Sequence, residues 1–170
     1  MQLQESLLGP EHPDVAVICA NAGSAAVADG DRVRGRALLE RALLLTRRAQ
    51  GPEHPEIARI LNNLAGLESS AGEFAAAFEL YSQALALRRK LLGAEHADTA
   101  NSASNAGDSL LLLGRAAEAR ALFEEALAGH RATVGEAHPR YGATLASLGA
   151  ADVALGRVGP GIAALERGIA

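Results

Sequence analysis

Histidine set among acids is the grouping in this chain best suited to chemistry, and it occurs four times. The stretches are Gly-Pro-Glu-His-Pro-Asp at 9–14, Gly-Pro-Glu-His-Pro-Glu at 51–56, Gly-Ala-Glu-His-Ala-Asp at 93–98 and Gly-Glu-Ala-His-Pro-Arg at 135–140. Imidazole beside carboxylate can hold zinc or relay protons. Spacing argues against a shared centre, because His12, His54, His96 and His138 stand at one constant, long interval along the chain. Two histidines on one zinc need ring nitrogens about 3–4 Å apart, since each Zn–N bond is about 2.0–2.1 Å. Packed helices lie about 8–10 Å apart, so imidazoles one unit apart form a row along an edge. The phrase therefore reads as punctuation: Gly closes one helix, Pro opens the next, and Glu-His fills the linker. No metal site is expected.

Other candidate groups fare no better. Cys19 occupies a large-apolar position, with nothing nearby in sequence to lower its pKa, and reads as a buried thiol rather than a nucleophile. As the sole cysteine it cannot form an internal disulfide. Ser24, in Asn-Ala-Gly-Ser-Ala-Ala, lacks the Gly-x-Ser-x-Gly elbow. Residues 156–161, Gly-Arg-Val-Gly-Pro-Gly, follow no strand and precede no Lys-Ser/Thr, which excludes a phosphate loop. Glu124 and Glu125 are helix neighbours pointing in different directions. No catalytic residue and no cofactor is expected, and the chain reads as a non-enzyme.

The elements that carry these residues are legible from composition and period. Of 170 residues 49% are apolar but only 3% aromatic, and a core of Ala and Leu favours closely packed helices. Within 51–92, Ile57, Ile60, Leu61, Leu64 and Leu67 recur at helical spacing, as do Phe74, Ala77, Phe78, Tyr81, Ala84 and Leu85 after Gly72. Acids open the first helix in three units (Asp14, Glu56, Asp98) while the fourth has Arg140, and bases precede the closing glycines. Each unit is thus a helical hairpin, and a fixed period of this size predicts a solenoid. The expected units are 9–50, 51–92, 93–134 and 135–170, the last with a shortened second helix, and 1–8 form the tail of a preceding second helix. Net charge is −4 with scattered bases, so nucleic acid is not expected. No apolar run is long enough to span a bilayer, and the N-terminus lacks the pattern of a signal peptide, so a soluble, cytoplasmic protein is expected.

Leu61, Leu64, Ala65, Gly72, Phe74, Ala77, Tyr81 and Ala84 make the second hairpin resemble a tetratricopeptide repeat. The 42-residue spacing and Leu-Gly-Pro-Glu-His-Pro at 8–13 are similar to the kinesin light chain subtype. The resemblance covers all four units. It implies an all-α, right-handed α-solenoid of about four antiparallel helical hairpins that binds proteins. The tyrosine slot late in the first helix holds Ala26, Glu68, Leu110 and Asp152 instead, and two carboxylates there imply looser packing or exposure. Neither end resembles a polar capping repeat, so an excised segment of a longer array, or self-association through uncapped ends as a homo-oligomer, is expected.

Asn21, Asn63 and Asn105 recur at the same interval as the histidines, with Ser147 in the fourth unit. Asn is a middling-to-poor helix former, so its recurrence at mid-helix invites an explanation. The resemblance places this position on a concave face, where carboxamides hold the backbone of an extended peptide. Helices stacked about 9–10 Å apart would meet such a strand, rising about 3.3 Å per residue, at every third residue. Bonding across to the neighbouring helix, which would fix register, is the alternative, and the two are compatible. The expected peptide-binding set is Asn21, Arg59, Asn62, Asn63, Asn101, Asn105 and Asp108. Arg59 is the only cation among the expected concave positions, so a basic clamp for a terminal carboxylate is not expected. The partner is a protein or peptide, without nucleic acid or membrane.

Overall fold

The computed structural model describes residue 9 and residues 11–169. The expected helix tail at 1–8 lies outside the described residues. Eight α-helices follow one another among the described residues: α1 (Pro13–Ala28), α2 (Arg32–Gln50), α3 (Pro55–Ser70), α4 (Phe74–Leu92), α5 (Ala97–Leu112), α6 (Ala116–Thr133), α7 (Pro139–Ala154) and α8 (Val158–Ile169). Each packs on its neighbours in chain order, and first helices also touch across hairpins, α1 on α3 and α5 on α7. The result is a right-handed α-solenoid of four antiparallel hairpins, with no core private to one segment.

Helix ends are set by two devices. Gly9, Gly30, Gly51, Gly72, Gly93, Gly114, Gly135 and Gly156 all have positive φ, between 76° and 87°. They recur at half the repeat interval, so each helix and its turn take half a unit. Only glycine adopts this backbone without steric cost, which stops each helix and reverses the chain. The second device is the histidine row, whose members are helix N-caps rather than filler. His12, His54, His96 and His138 each accept at Nδ1 from the backbone N–H two residues on, at 3.2, 3.2, 3.1 and 3.1 Å. Each bond satisfies one of the orphan donors of a helix start. It also fixes the tautomer, since an accepting Nδ1 leaves the proton on Nε2.

Small residues let the helices of a hairpin approach closely. A Cβ on Gly107 would stand 2.6 Å from Cε1 of Phe123, itself fully buried. Gly23 and Gly149 make similar approaches to α2 and α8. Leu39, Ile57, Ile60, Leu67, Leu110 and Phe123 supply the larger core side chains.

Between hairpins the contacts alternate. Glu68 on α3 pairs with Arg36 on α2, and its side chain is only 10% exposed. At the equivalent positions two units further along, Asp152 on α7 accepts from Nε of Arg120 on α6 at 2.9 Å. At the intervening interface those positions hold Phe78 and Leu110, and Phe78 packs against the cluster containing Leu110. The expectation that Glu68 and Asp152 mark loose or exposed slots is therefore wrong. Both carboxylates are buried, and a guanidinium from the preceding hairpin neutralises each.

Candidate functional site

First helices alternate with second helices along the chain, so the exposed stripes of α3 and α5 line one groove with the ends of α4, α6 and α7. A cavity of about 410 Å³ opens there, with Asn62, Asn101, Asn105 and Asp108 on its wall. Four of the seven expected site residues thus come together. Asn63 joins Asn62 in an adjoining cavity of about 430 Å³, beside Ser24, Gly66 and Tyr81. Arg59 lies apart. Its Nε donates to Glu56 Oε2 at 2.9 Å, and it lines a third cavity with Leu91 and Leu92. Asn21 lies outside all three, its Oδ1 accepting from Arg59 at 3.4 Å.

The amides are partly committed within the solenoid. Asn63 Nδ2 donates to Ser24 Oγ at 2.7 Å, linking α3 back to α1. Asn105 Nδ2 donates to Asn62 Oδ1 at 3.2 Å, linking α5 back to α3. Both spend a donor on the preceding first helix and keep the carbonyl oxygen for something else. The Asn101 side chain makes no hydrogen bond among the described residues and lines the cavity with its carboxamide unspent.

Three basic side chains in this groove were not among the expected site residues, and they change its electrostatics. Arg88, from the end of α4, donates to the carbonyl oxygen of Asp98 at 2.9 Å and to Ser102 Oγ at 2.8 Å. Burial lowers its pKa, with the Asp98 charge opposing. His130, from the end of α6, and Arg140, from the first turn of α7, share the same cavity wall. Cations therefore enter the groove from outside the expected concave positions, among which Arg59 is the only one. The reason is that second-helix ends and the first turn of α7 reach the groove too. The register between units could have revealed it, since Arg88 and His130 occupy one slot and Asp98 and Arg140 another.

Asp108 is crowded by the helices around the cavity, although solvent reaches it from the groove. Burial raises its carboxyl pKa, and a hydrogen bond from Ser147 opposes the shift. The phenol of Tyr81 is also held up, by burial first and then by the charge of Asp108. Among the described residues no three His, Cys, Asp or Glu side chains come together as metal ligands. No helix among them is long and apolar enough to cross a membrane.

The tetratricopeptide repeat model matches residues 17–90, 56–132 and 98–170. Among solved structures the chain is similar to BtubC (BKLC) from P. vanneervenii, at 25% identity and a TM-score of 0.85, over 93% of this chain and 63% of that one. It is also similar to the putative kinesin light chain of Podosopora anserina with nearly identical TPR-like repeats, at 26% identity and a TM-score of 0.82, over 99% of this chain and 80% of that one. A point variant of the latter gives a TM-score of 0.83 at the same identity. The chain thus spans somewhat less than two thirds of the first of these proteins. No curated protein sequence matches it.

Proposed function

The chain belongs to the tetratricopeptide-repeat family, and on that premise we propose that it is a non-catalytic docking scaffold whose groove holds an extended segment of a partner protein. The observation that carries this reading is the convergence of Asn62, Asn101, Asn105 and Asp108 on one cavity, with the Asn101 amide unspent. A carboxamide offers both a donor and an acceptor, so it can match a peptide group whatever side chain follows. On this reading Asn63 and Asn105 combine both roles weighed for them, since each anchors the preceding helix by its nitrogen and has an oxygen to offer a docked segment. Asn21 and Arg59 belong to the flank of this site. The working compartment on this reading is the cytoplasm.

Selection from a displayed library of random twelve-residue segments tests the reading, with an Asn62→Ala/Asn101→Ala variant as counter-target. Segments enriched on the native chain should bind the variant more weakly, by on the order of 1–3 kcal/mol for amide bonds lost in a partly buried site. Segments that bind both proteins equally would move the site elsewhere.

A second reading, self-association, is supported by α8. Val158 and Ile162 are 54% and 48% exposed there, and Ile162 stands two units after Phe78, which packs against the next hairpin. Light scattering at rising concentration separates the two readings, because a constant monomer mass removes the second.

A further inference from the structure

Two neighbouring interfaces present the same pair of slots with different chemistry. Between the second and third hairpins the slots hold Arg88 and Asp98. The guanidinium fills its corner by bonding the Asp98 carbonyl oxygen and Ser102 Oγ, and the Asp98 charge balances it. Between the third and fourth hairpins the slots hold His130 and Arg140. Here the carbonyl oxygen of residue 140 accepts from Thr144 Oγ1 instead, at 2.9 Å. The shorter imidazole is left 1% exposed, with Nδ1 buried and without a hydrogen-bond partner.

Arg140 breaks a second rule. Every other unit has an acid at this place in the first turn of its first helix, where the macrodipole favours negative charge. A cation there gives up that stabilisation, and its guanidinium makes no ion pair or hydrogen bond among the described residues. Local rules are broken in this way where a site is being built. A helix start, an uncommitted guanidinium and an orphaned imidazole meet on one wall of the cavity. All three favour negative charge, the first two by electrostatics and the imidazole once protonated.

We propose that His130 and Arg140 form a carboxylate-binding subsite at the end of the groove, in which Arg140 pairs with the anion and His130 takes up a proton as it binds. The inference rests on the groove reading for the source of the carboxylate, an acidic side chain or a free C-terminus of the docked segment, and not for the anion itself. The charged groups around His130 are Arg140 and His138 from the start of α7, Asp98 and Asp108 from α5, and Arg88 from α4. The Asp98 charge acts on Arg88 and Asp108 accepts from Ser147, whereas the Arg140 guanidinium is the cation of this cavity with no hydrogen bond or ion pair among the described residues. In the empty site burial lowers the His130 pKa, and Arg140 and His138 lower it further, so the ring is held neutral. An anion on Arg140 cancels part of that repulsion and raises the pKa. Binding therefore consumes a proton, and affinity rises as pH falls through the bound-state pKa.

The experiment titrates the chain with acetate between pH 7.5 and 5.5 and follows the imidazole resonances by NMR. The expected result is saturable binding, with His130 titrating at higher pH in acetate and affinity rising up to about tenfold for each unit of pKa shift. Arg140→Asp, which restores the acid of the other units and should fold at least as well, should abolish the response. A His130 resonance indifferent to acetate, or a response that survives in Arg140→Asp, overturns the proposal. Two N-acetylated probes then assign the source: an amidated peptide bearing one glutamate, and a peptide without charged side chains that has a free C-terminus. Competition with acetate by either supports the subsite and names its source, whereas competition by neither overturns its assignment to a docked segment. A failure of the library selection with acetate binding intact would count against the groove reading alone.

Discussion

Replacing Arg120 by Phe tests the alternation of interfaces, because the protein already contains the apolar version of that contact. Asp152 is 5% exposed and accepts from Arg120 at 2.9 Å, while Arg157 stands further off, at 3.7 Å. Removing one partner of a fully buried pair costs about 3–5 kcal/mol, because a desolvated charge is left behind. The Arg120 side chain is 28% exposed and Arg157 can move closer, so we expect about 2–3 kcal/mol for Arg120→Phe. Asp152→Leu should cost far less. Arg120 then keeps Glu124 at 2.9 Å as well as solvent, and an exposed pair of that kind is worth about 0–1 kcal/mol. Arg120→Phe with Asp152→Leu rebuilds the Phe78–Leu110 arrangement and should recover to within about 1 kcal/mol of the native chain. Urea denaturation followed by circular dichroism gives the three values. Tyrosine fluorescence shows whether the last hairpin melts alone, as repeat arrays can. A double variant no more stable than Arg120→Phe would refute the reasoning, as would a single-variant cost within experimental error.

Three further outcomes follow from the geometry. His54→Ala should lose about 1 kcal/mol of stability, and His54→Asn, which keeps an acceptor at the N-cap, should recover most of it in thermal melts. Gly107→Val should destabilise by about 1–3 kcal/mol, since its Cβ would meet the Phe123 ring at 2.6 Å; relief by a second change, Phe123→Leu, would identify the clash as the cause. Asp108→Asn should raise stability at pH 7. The folded-state pKa of Asp108 is raised, so its carboxyl contributes fully below the ordinary carboxylate range and loses that contribution as pH rises through the folded value. The gain should therefore vanish near pH 3, and a gain that persists there would refute the assignment.

The solenoid was legible because a four-fold repetition without insertion leaves few other ways to bury its apolar stripes. The groove was half legible. Asn62, Asn101, Asn105 and Asp108 share the helix face that the resemblance makes concave, whereas Asn21 lies outside the three cavities and Arg59 lines the one that meets the groove at Arg88 and Asp98. The histidine caps were missed because their bond depends on the extended backbone of the linker, which brings Nδ1 over the second following N–H. Arg36–Glu68 and Arg120–Asp152 were missed because each joins residues about a hairpin apart, beyond the reach of local pattern. Arg140 was visible as a lapse in the acidic first turns, but its significance needed His130 beside it, and only packing supplies that neighbour.

The alternation of charged and greasy joints also limits how such a chain can shorten. Excising residues 93–134 would bring Phe78 against Asp152 and strand its carboxylate, whereas excising 51–134 would bring Arg36 against Asp152 and keep a cation in place. Matched seams survive the loss of hairpins two at a time, whereas the loss of one leaves a mismatched seam.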